Sequence, residues 1–415
     1  MGEGHSGLEF RETVGYNGNV ISKKEAFVDT IKRFFNPPAG SFFLFGPRGT
    51  GKSTWLKGNF PEALFVDLLD PDSFRTYVSH PEQLHALVEG HPEASRVVID
   101  EIQKVPSLLD VVHQLIEEKS RRRLQFILTG SSSRKLRRAG VDLLAGRVLL
   151  KTLHPFMAAE LGTKFDLERS MRLGLLPLVL AAPEPEETLK SYVSLYLREE
   201  VQAEGLVRNI GSFSRFLEAM SFSHASLLNA SEVARECQVG RKTVEGFVEI
   251  LEDLLLGFRL KVFTRKAKRH LVQHPKFYYM DAGVFRTLRP KGPLDVSGEM
   301  GGPALEGLVA KQLRAWIAYG QKDRQLYFWR TKSGVEVDFI IYGQDTFLAI
   351  EVKSSRRISS KDVRSLKTFL EDYPQAKACL LYAGRDRLRI DGIQCIPCGE
   401  FLLRLQPEVV PGQAI

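Results

Sequence analysis

Four apolar residues lead directly into a glycine-rich loop at positions 42–53: Phe42-Phe43-Leu44-Phe45-Gly46-Pro47-Arg48-Gly49-Thr50-Gly51-Lys52-Ser53. The loop matches the full pattern GxxxxGK[ST]. The apolar run before it predicts a buried strand, and Thr54, Trp55 and Leu56 begin a predicted helix after it. This order predicts a phosphate site, because the N–H groups of the loop and the helix N-terminus point at phosphate oxygens.

The residue types in the loop predict a role for each part of it. Backbone N–H groups of residues 46–54, apart from Pro47, are expected to cradle the phosphates. Lys52 is expected to reach the β- and γ-phosphates, and the hydroxyl of Ser53 to ligate Mg²⁺. We therefore predict ATP and Mg²⁺ as cofactors, with Lys52 as a catalytic residue as well.

Apolar runs alternate with longer amphipathic stretches from about residue 21 to residue 160. The runs lie at 42–45, 63–68, 97–99, 124–128 and 148–153. Short apolar runs separated by helical patterns predict an α/β fold, with a parallel sheet covered by helices on both faces.

Two acidic residues follow the third run, in Val97-Val98-Ile99-Asp100-Glu101. Asp100 is predicted to emerge at the carboxyl end of its strand, where such sheets bind ligands, and to hold the Mg²⁺ shell. Glu101 is predicted to polarise the attacking water, which favours hydrolysis. The next strand ends in Thr129-Gly130-Ser131, and Ser131 is either a γ-phosphate sensor or part of a serine-rich turn.

The composition of this 415-residue chain is that of a soluble globular protein, with 43% hydrophobic and 26% charged residues. No apolar stretch approaches the ~20 residues of a membrane helix, and no segment has the form of a signal peptide. We expect a cytoplasmic protein without membrane contact. Four cysteines fit a reducing compartment, and we interpret Cys395-Ile396-Pro397-Cys398 as a late strand, because a zinc site needs about four ligands.

The charge balance is basic, with a formal net charge of +8 and a pI of about 9.2. Any single basic cluster is as often a solvated face as a binding surface. Several clusters in a nucleotide-hydrolysing protein favour nucleic acid as the partner. They lie at residues 121–123, 134–138, 265–269 and 353–361.

A helix-turn-helix with a wing is predicted in the middle of the chain. Two apolar helical stripes flank Val239-Gly240, and strands follow at 259–263 and Lys276–Tyr279. DNA contacts and packing between domains are equally consistent with this pattern. The candidate DNA-binding residues are Arg241 and Lys242 at the second helix, and Arg265, Lys266, Lys268 and Arg269 in the wing.

A second group of chemically active residues lies in two strands near the C-terminus. If Gln344-Asp345 is a two-residue hairpin turn, Asp338 lies opposite Glu351, and Lys353 shares the face of Glu351. Two opposed carboxylates are destabilising without a cation, so Mg²⁺ or Mn²⁺ is predicted between them, with Glu306 as a third carboxylate. Lys353 is then a candidate catalytic residue; the alternative is an exposed hairpin with unrelated surface charges.

Asp338, Glu351 and Lys353 resemble the PD-(D/E)xK nuclease core. More broadly, the chain resembles a prokaryotic AAA+-type ATPase family whose C-terminal region is a domain of unknown function. The resemblance also involves the run Asp100-Glu101-Ile102-Gln103-Lys104-Val105-Pro106 and the run Tyr279-Met280-Asp281-Ala282-Gly283. It implies an AAA+-like P-loop domain, a winged-helix middle domain and an α/β PD-(D/E)xK nuclease-like C-terminal domain.

We expect domain boundaries consistent with that resemblance. Residues 1–20 are predicted to be a flexible tail, 21–165 the ATPase domain, 166–292 a helical lid with the winged helix, 293–405 the nuclease-like domain and 406–415 a C-terminal tail. The resemblance also implies a homo-oligomer such as a hexameric ring. Arg147, Arg198 and Arg208 are the candidates for an arginine that acts on a neighbouring subunit's nucleotide or for the sensor arginine.

Two functions from different classes fit the sequence. The first is a Mg²⁺-dependent ATPase that binds DNA as a motor or switch in repair, recombination, branched-DNA processing or defence, with a possible metal-dependent endonuclease. The second is a nucleotide-regulated scaffold or regulator that binds proteins, with an inactive nuclease-like domain. The acidic half of the second helix of the helix-turn-helix favours this second interpretation.

Overall fold

A computed structural model of the chain describes residues 31–118, 124–131, 146–196, 210–265, 267–290, 292 and 300–411. These residues form three β-sheets with helices packed against them. The predicted N-terminal tail lies outside the described residues. Residues 406–411, predicted as part of a C-terminal tail, pack on the protein: the buried indole of Trp316 donates hydrogen bonds to the carbonyl oxygens of Gln406 and Val409.

The N-terminal unit is built on a sheet of five parallel strands in the order β2-β3-β4-β1-β5. The strands are β1 (Phe42–Phe45), β2 (Leu64–Asp67), β3 (Arg96–Asp100), β4 (Gln125–Gly130) and β5 (Leu149–Thr152). The central strands are buried on both faces, which explains their nearly continuous apolar sequence. All five predicted apolar runs are therefore confirmed as strands.

Helices cover both faces of this sheet. They are α1 (Lys52–Asn59), α2 (Pro71–Ser79), α3 (Gln83–Gly90), α4 (Leu108–Glu117) and the short α5 (Ala158–Leu161). Local signals set some of their ends: the carboxylate of Asp70 accepts a hydrogen bond from the N–H of Ser73 and caps α2. The loops that follow β1, β3 and β4 meet at the carboxyl edge of the sheet, because these strands are parallel neighbours.

The middle unit is mostly helical. Its helices are α6 (Leu167–Leu173), α7 (Pro177–Leu180), α8 (Pro185–Ser191), α9 (Ile210–Phe222), α10 (Ala230–Cys237), α11 (Arg241–Asp253) and α12 (Ala282–Leu288). A small antiparallel sheet has the order β6-β8-β7, from β6 (Ser226–Leu227), β7 (Gly257–Leu260) and β8 (Lys276–Tyr279). The two helices and the strand pair predicted here are present in the predicted order.

The C-terminal unit contains a mixed sheet of six strands in the order β13-β14-β12-β11-β10-β9. The strands are β9 (Arg324–Arg330), β10 (Glu336–Gly343), β11 (Phe347–Lys353), β12 (Lys377–Tyr382), β13 (Leu388–Ile390) and β14 (Ile393–Pro397). Helix α13 (Gly301–Tyr319) packs on one face, α14 (Arg364–Asp372) on the other, and α15 (Cys398–Leu403) follows β14. Phe339 pairs with Ile350 and Tyr342 with Phe347, which is the predicted hairpin register.

The N-terminal and C-terminal units share a hydrophobic core. Phe42 and Leu44 of β1 belong to the same buried cluster as Leu308 and Trp316 of α13. Burial of apolar area is the dominant favourable term in folding, so the two units stabilise each other. The chain is therefore not a string of independent domains joined by linkers.

The predicted wing does not project into solvent. Its connecting segment, residues 261–275, runs along β9: the N–H of Phe263 donates to the carbonyl of Phe328 at 2.7 Å, and the N–H of Val272 to that of Arg330 at 3.1 Å. These contacts satisfy backbone groups of Phe328 and Arg330 at the open edge of β9. Of the two alternatives left open by the sequence, packing between domains is the one that this segment shows, because it joins the middle unit to the C-terminal sheet.

Candidate functional site

The phosphate loop has the backbone that its glycines permit. Gly51 has φ of 83°, in the left-handed region that glycine enters without strain. A Cβ at Gly46 would lie 2.5 Å from the carbonyl oxygen of Leu153, so no larger residue fits against the neighbouring chain. Helix α1 begins at Lys52, directly after the loop, which places its N-terminus at the predicted phosphate position.

Lys52 is buried within the loop. Its ammonium donates to the carbonyl oxygen of Gly46 at 2.7 Å and lies 3.4 Å from that of Pro47. The hydroxyl of Thr50 also donates to Pro47, at 2.8 Å. The lysine charge is thus held at the mouth of the cradle by weak neutral acceptors, from which phosphate oxygens can draw it.

The two residues predicted to hold Mg²⁺ at the phosphate loop contact each other at the carboxyl edge of the sheet. The hydroxyl of Ser53 donates to Oδ2 of Asp100 at 2.6 Å. The other carboxylate oxygen of Asp100 accepts from the hydroxyl of Thr129, a residue that the sequence analysis did not assign. A hydroxyl and a carboxylate side by side at a phosphate loop are oxygen donors of the kind that Mg²⁺ takes, so the residues present fit this ion.

Glu101 has a strained backbone, with φ of 62°, in a region that residues other than glycine seldom enter. Its N–H donates to the hydroxyl of Thr129 at 3.1 Å. The amide of Gln103 donates to the Glu101 carboxylate and lies 3.4 Å from the hydroxyl of Ser131. Such strain clusters at functional sites, and here it turns the carboxylate out of the strand direction.

The middle unit contacts the phosphate loop. The N–H of Leu178 in α7 donates to the carbonyl oxygen of Gly49 at 3.1 Å. The hydroxyl of Tyr192 donates to the carbonyl oxygen of Arg48 at 3.2 Å. A cavity of about 390 Å³ lies between the phosphate loop and helices α7 and α8, which we call the lid. Lys52 and Glu101 are part of its lining. That volume is within the range of small-molecule sites.

A further cavity, of about 710 Å³, lies on the other side of α1. The two cavities share Gly51, Ser53 and Thr54, so the phosphate loop forms part of the lining of both. Arg33 and Phe35 line the second cavity, upstream of β1. The two cavities leave room beside the loop for the base and sugar of a nucleotide as well as for its phosphates.

The candidate trans arginines have different positions. Arg147 is exposed and forms an ion pair with Glu117. Arg198 and Arg208 lie outside the described residues. Exposure on the surface is what contact with a neighbouring subunit requires, so Arg147 stays a candidate.

The C-terminal carboxylates surround a lysine that the sequence analysis did not assign to any site. Lys276, the first residue of β8, is 1% exposed and donates to Glu306 at 2.8 Å and to Asp338 at 3.2 Å. Its ammonium also lies 2.5 Å from an oxygen of Glu336. The hydroxyl of Tyr278 donates to Glu306 at 2.6 Å. Five residues from two units of the chain thus form one cluster, with the buried Lys276 at its centre.

Glu351 and Lys353 lie beside this cluster, as the register requires. The Lys353 ammonium donates to Oε1 of Glu351 at 2.6 Å, and the N–H of Val352 donates to Oδ2 of Asp338 at 2.9 Å. Oε2 of Glu351 is buried and has no hydrogen-bond partner among the described residues. Burial and the nearby charge of Asp338 raise the pKa of Glu351 well above its usual value.

The charges of the cluster shift the pKa values of its other members. Burial and Asp338 raise the pKa of Glu306 to about 7, although Lys276 opposes this. Burial acts to lower the pKa of Lys276, but the surrounding carboxylates and the Tyr278 phenol outweigh it, and the pKa is raised well above 10.5. The lysine is therefore the permanent cation of the cluster.

The predicted metal site has carboxylate oxygens, but the Lys276 ammonium lies among three of its carboxylates. Both oxygens of Asp338 and one oxygen of Glu306 accept hydrogen bonds from Lys276, Tyr278 and the N–H of Val352. In the part of the chain that the structure describes, no group of three or more His, Cys, Asp or Glu residues is arranged to hold a metal ion. The Lys276 ammonium lies among Glu306, Glu336 and Asp338, beside the position between Asp338 and Glu351 at which the sequence predicts an ion.

The predicted DNA-binding residues differ in availability. Arg241 and Lys242 are exposed at the start of α11, with Arg241 2.9 Å from Glu245. Arg269 is paired with Glu371 and Asp372 of α14, at 2.8 and 3.1 Å, and the Lys268 ammonium lies 3.5 Å from the Glu371 carbonyl oxygen.

Arg265 lies over the ring of Tyr342, and Lys266 lies outside the described residues. The wing cations that are described thus contact the C-terminal unit, which leaves the α11 pair as the better candidates for DNA contact. The basic clusters at 121–123 and 134–138 also lie outside the described residues.

Family models match three consecutive parts of the chain. Residues 39–162 match an AAA domain, residues 164–295 a domain of unknown function, DUF8612, and residues 301–401 another domain of unknown function, DUF4143. With the loop, the Asp100 strand and the parallel sheet, the first match makes the N-terminal unit an AAA-type P-loop ATPase domain. The C-terminal unit carries the DUF4143 domain.

Other comparisons add little to these matches. No curated protein matches the chain. A solved structure, the replication initiator DnaA bound to AMPPCP and single-stranded DNA, matches 55% of this chain and 86% of its own at 12% identity, with a TM-score of 0.24. A likeness of that size carries no argument about function. Among the described residues, no helix is long and apolar enough to cross a bilayer.

Proposed function

We propose that this protein hydrolyses ATP with Mg²⁺ and uses the hydrolysis to act on DNA as a motor or switch. The observation that carries the ATPase part is the contact of 2.6 Å between the Ser53 hydroxyl and Asp100, with Glu101 directly after it. These groups lie at the N-terminus of α1, beside a lysine already held at the loop.

The residues of the site divide the work of hydrolysis among them. The loop N–H groups and Lys52 bind the β- and γ-phosphates, and Ser53 with Asp100 holds the Mg²⁺ that neutralises phosphate charge. Glu101 orients the attacking water, and Gln103 and Thr129 fix its side chain and backbone. Ser131 lies 3.4 Å from the amide of Gln103, which also bonds Glu101. A γ-phosphate bound by Ser131 would therefore affect the position of the Glu101 carboxylate.

Contacts between the lid and the loop supply a route from ATP to the rest of the chain. Leu178 and Tyr192 bond directly to loop carbonyls. A nucleotide that reshapes Arg48 and Gly49 will therefore change the contacts of α7 and of the turn at Tyr192–Tyr196. A switch requires two states that the ligand binds with different affinity, and these contacts are where we propose that they differ.

The DNA part of the proposal rests on charge. The chain has a net charge of +8, and Arg241 with Lys242 is exposed at the N-terminus of α11, the end that a DNA-reading helix presents. Repair, recombination, branched-DNA processing and defence are the settings that this chemistry suits. A homo-oligomer, possibly a hexameric ring, would let the exposed Arg147 reach a neighbour's nucleotide.

One experiment tests the proposal as a whole. ATPase rates are measured without DNA and with single-stranded, duplex and branched DNA, and DNA affinity is measured over a range of salt concentrations. We expect stimulation by at least one DNA, and a linear fall of log affinity with log salt. Arg241→Ala with Lys242→Ala should reduce that slope by about 2, since each phosphate contact contributes about 1.

A matched control comes from the segment that joins the units. Lys268→Ala with Arg269→Ala removes the same charge, but from residues that contact Glu371 and Asp372. We expect this variant to keep the salt slope and to lose thermal stability instead. Equal losses of slope in both variants would mean that DNA contacts the joining segment as well as α11.

The second candidate function is a nucleotide-regulated scaffold that binds proteins. It is favoured by the acidic half of α11, where Glu252 accepts from the N–H of Arg259 at 2.8 Å and neighbours further acidic residues. Absence of DNA binding at low salt, with ATPase activity retained, would select it. Metal-dependent cleavage at Asp338, Glu351 and Lys353 is not part of either proposal, because the site does not fit the metal.

A further inference from the structure

The ionic cluster at the C-terminal unit combines residues that no local pattern connects. Lys276 comes from β8 of the middle unit, Glu306 from α13, and Glu336 and Asp338 from β10. The lysine is 1% exposed, and its ammonium lies within 3.2 Å of all three carboxylates. A buried charge persists only when such partners compensate it.

Glu336 of this cluster and the neighbouring Glu351 each contact a further cation. Arg330 lies 2.8 Å from the second oxygen of Glu336, and Lys353 lies 2.6 Å from Glu351. Each of the four acidic residues therefore has a positively charged partner. Lys276 is the one that lies among three of them at once, as a divalent ion would.

A divalent ion and the Lys276 ammonium exclude each other at this site. The ion would have to share oxygens of Asp338 that already accept hydrogen bonds from Lys276 and the Val352 N–H. It would also lie a few ångströms from a like charge that has no route to solvent. The carboxylates and the metal would fit together only with the lysine removed.

We propose that Lys276 takes the place of a divalent metal in the nuclease-like site, so that the assembled protein binds no Mg²⁺ or Mn²⁺ there and the cluster fastens the middle unit to the C-terminal unit. Oε2 of Glu351, which has no hydrogen-bond partner among the described residues, is left without a cation by this arrangement. The site then serves to join two units of the chain and does not cleave DNA.

The test measures Mn²⁺ binding in a Lys52→Ala background without nucleotide, by calorimetry and by melting temperature. The parent protein is expected to show no Mn²⁺ binding that depends on Asp338. Lys276→Met removes the cation while keeping a similar length; it should lower the melting temperature without metal and gain a Mn²⁺ site. Mn²⁺ should then raise its melting temperature by roughly 3 °C or more.

Two control variants make the result specific. Lys276→Arg keeps the charge and should gain no Mn²⁺ site. Asp338→Asn added to Lys276→Met should abolish the new site. If Lys276→Met does not fold, the comparison of the parent with Asp338→Asn still decides, since Mn²⁺ binding by the parent that is lost in Asp338→Asn would overturn the proposal. Mn²⁺-dependent cleavage of DNA by the parent, lost in the same variant, would also overturn it.

Discussion

Replacement of Thr129 by valine is a direct test of how the ATPase site is held together. The side chains are nearly isosteric, so the change removes a hydroxyl and leaves the packing of β4 in place. That hydroxyl donates to Oδ1 of Asp100 and accepts from the N–H of Glu101 at 3.1 Å. The variant therefore leaves a buried carboxylate oxygen and a backbone N–H without their partner.

The size of the effect follows from these two bonds. A hydrogen bond to a charged group contributes about 1.5–3 kcal/mol. If the loss appears in the transition state, where Asp100 and Glu101 must be in position, kcat falls by about 10- to 150-fold. Because Thr129 does not line the cavity at the phosphate loop, the KM for ATP should change little.

The assay is steady-state ATP hydrolysis with varied ATP and saturating Mg²⁺, beside a melting curve for each protein. Thr129→Ser keeps the hydroxyl and should recover most of kcat, which a purely structural role of the methyl group would not predict. A folded Thr129→Val protein with kcat within about twofold of wild type would refute the reasoning. So would equal losses in the valine and serine variants.

Further predictions concern the loop and a buried lysine. Lys52→Ala should abolish nucleotide binding in a filter or fluorescence assay, because neutral backbone groups alone do not balance the phosphate charge; retained affinity would contradict this. Glu101→Gln should bind ATP normally and hydrolyse it far more slowly, and a wild-type rate would contradict the role given to this carboxylate. Burial lowers the pKa of Lys311 to about 7, against about 10.4 in an unfolded chain, so the folded protein binds fewer protons between these values and stability should rise with pH there. Lys311→Met should remove up to about 1.4 kcal/mol per pH unit of that rise in urea unfolding between pH 7 and 9, and parallel curves for the two proteins would contradict it.

Much of the fold was predictable because its strands carry strong local signals. β1 and β3 are buried on both faces and are apolar throughout, apart from their ends. The hairpin of β10 and β11 has its turn at Gln344-Asp345, where the N–H of Gly343 donates to Thr346, and so its register followed from counting. The pairing of residues 261–275 with β9 was not predictable, since it joins segments about sixty residues apart that share no local pattern.

The candidate site was predictable only in part. Ser53 and Asp100 meet because a phosphate loop and an acidic strand end belong to neighbouring parts of one parallel sheet. Thr129 was visible in the strand that ends in Ser131, but its contact with Asp100 depends on which strands are adjacent. Lys276 begins a short strand and looks like a surface charge in sequence; only the packing of the middle unit on the C-terminal unit buries it among carboxylates.

The segment that covers β9 also bears on aggregation. Left bare, the edge of β9 that faces away from β10 would present unpaired backbone groups from alternate residues, a template on which a strand of another molecule could form. Residues 261–275 occupy that template, and Arg269 secures them to α14. Substitutions that loosen this segment should therefore reduce the soluble yield before they reduce the ATPase rate of the molecules that remain.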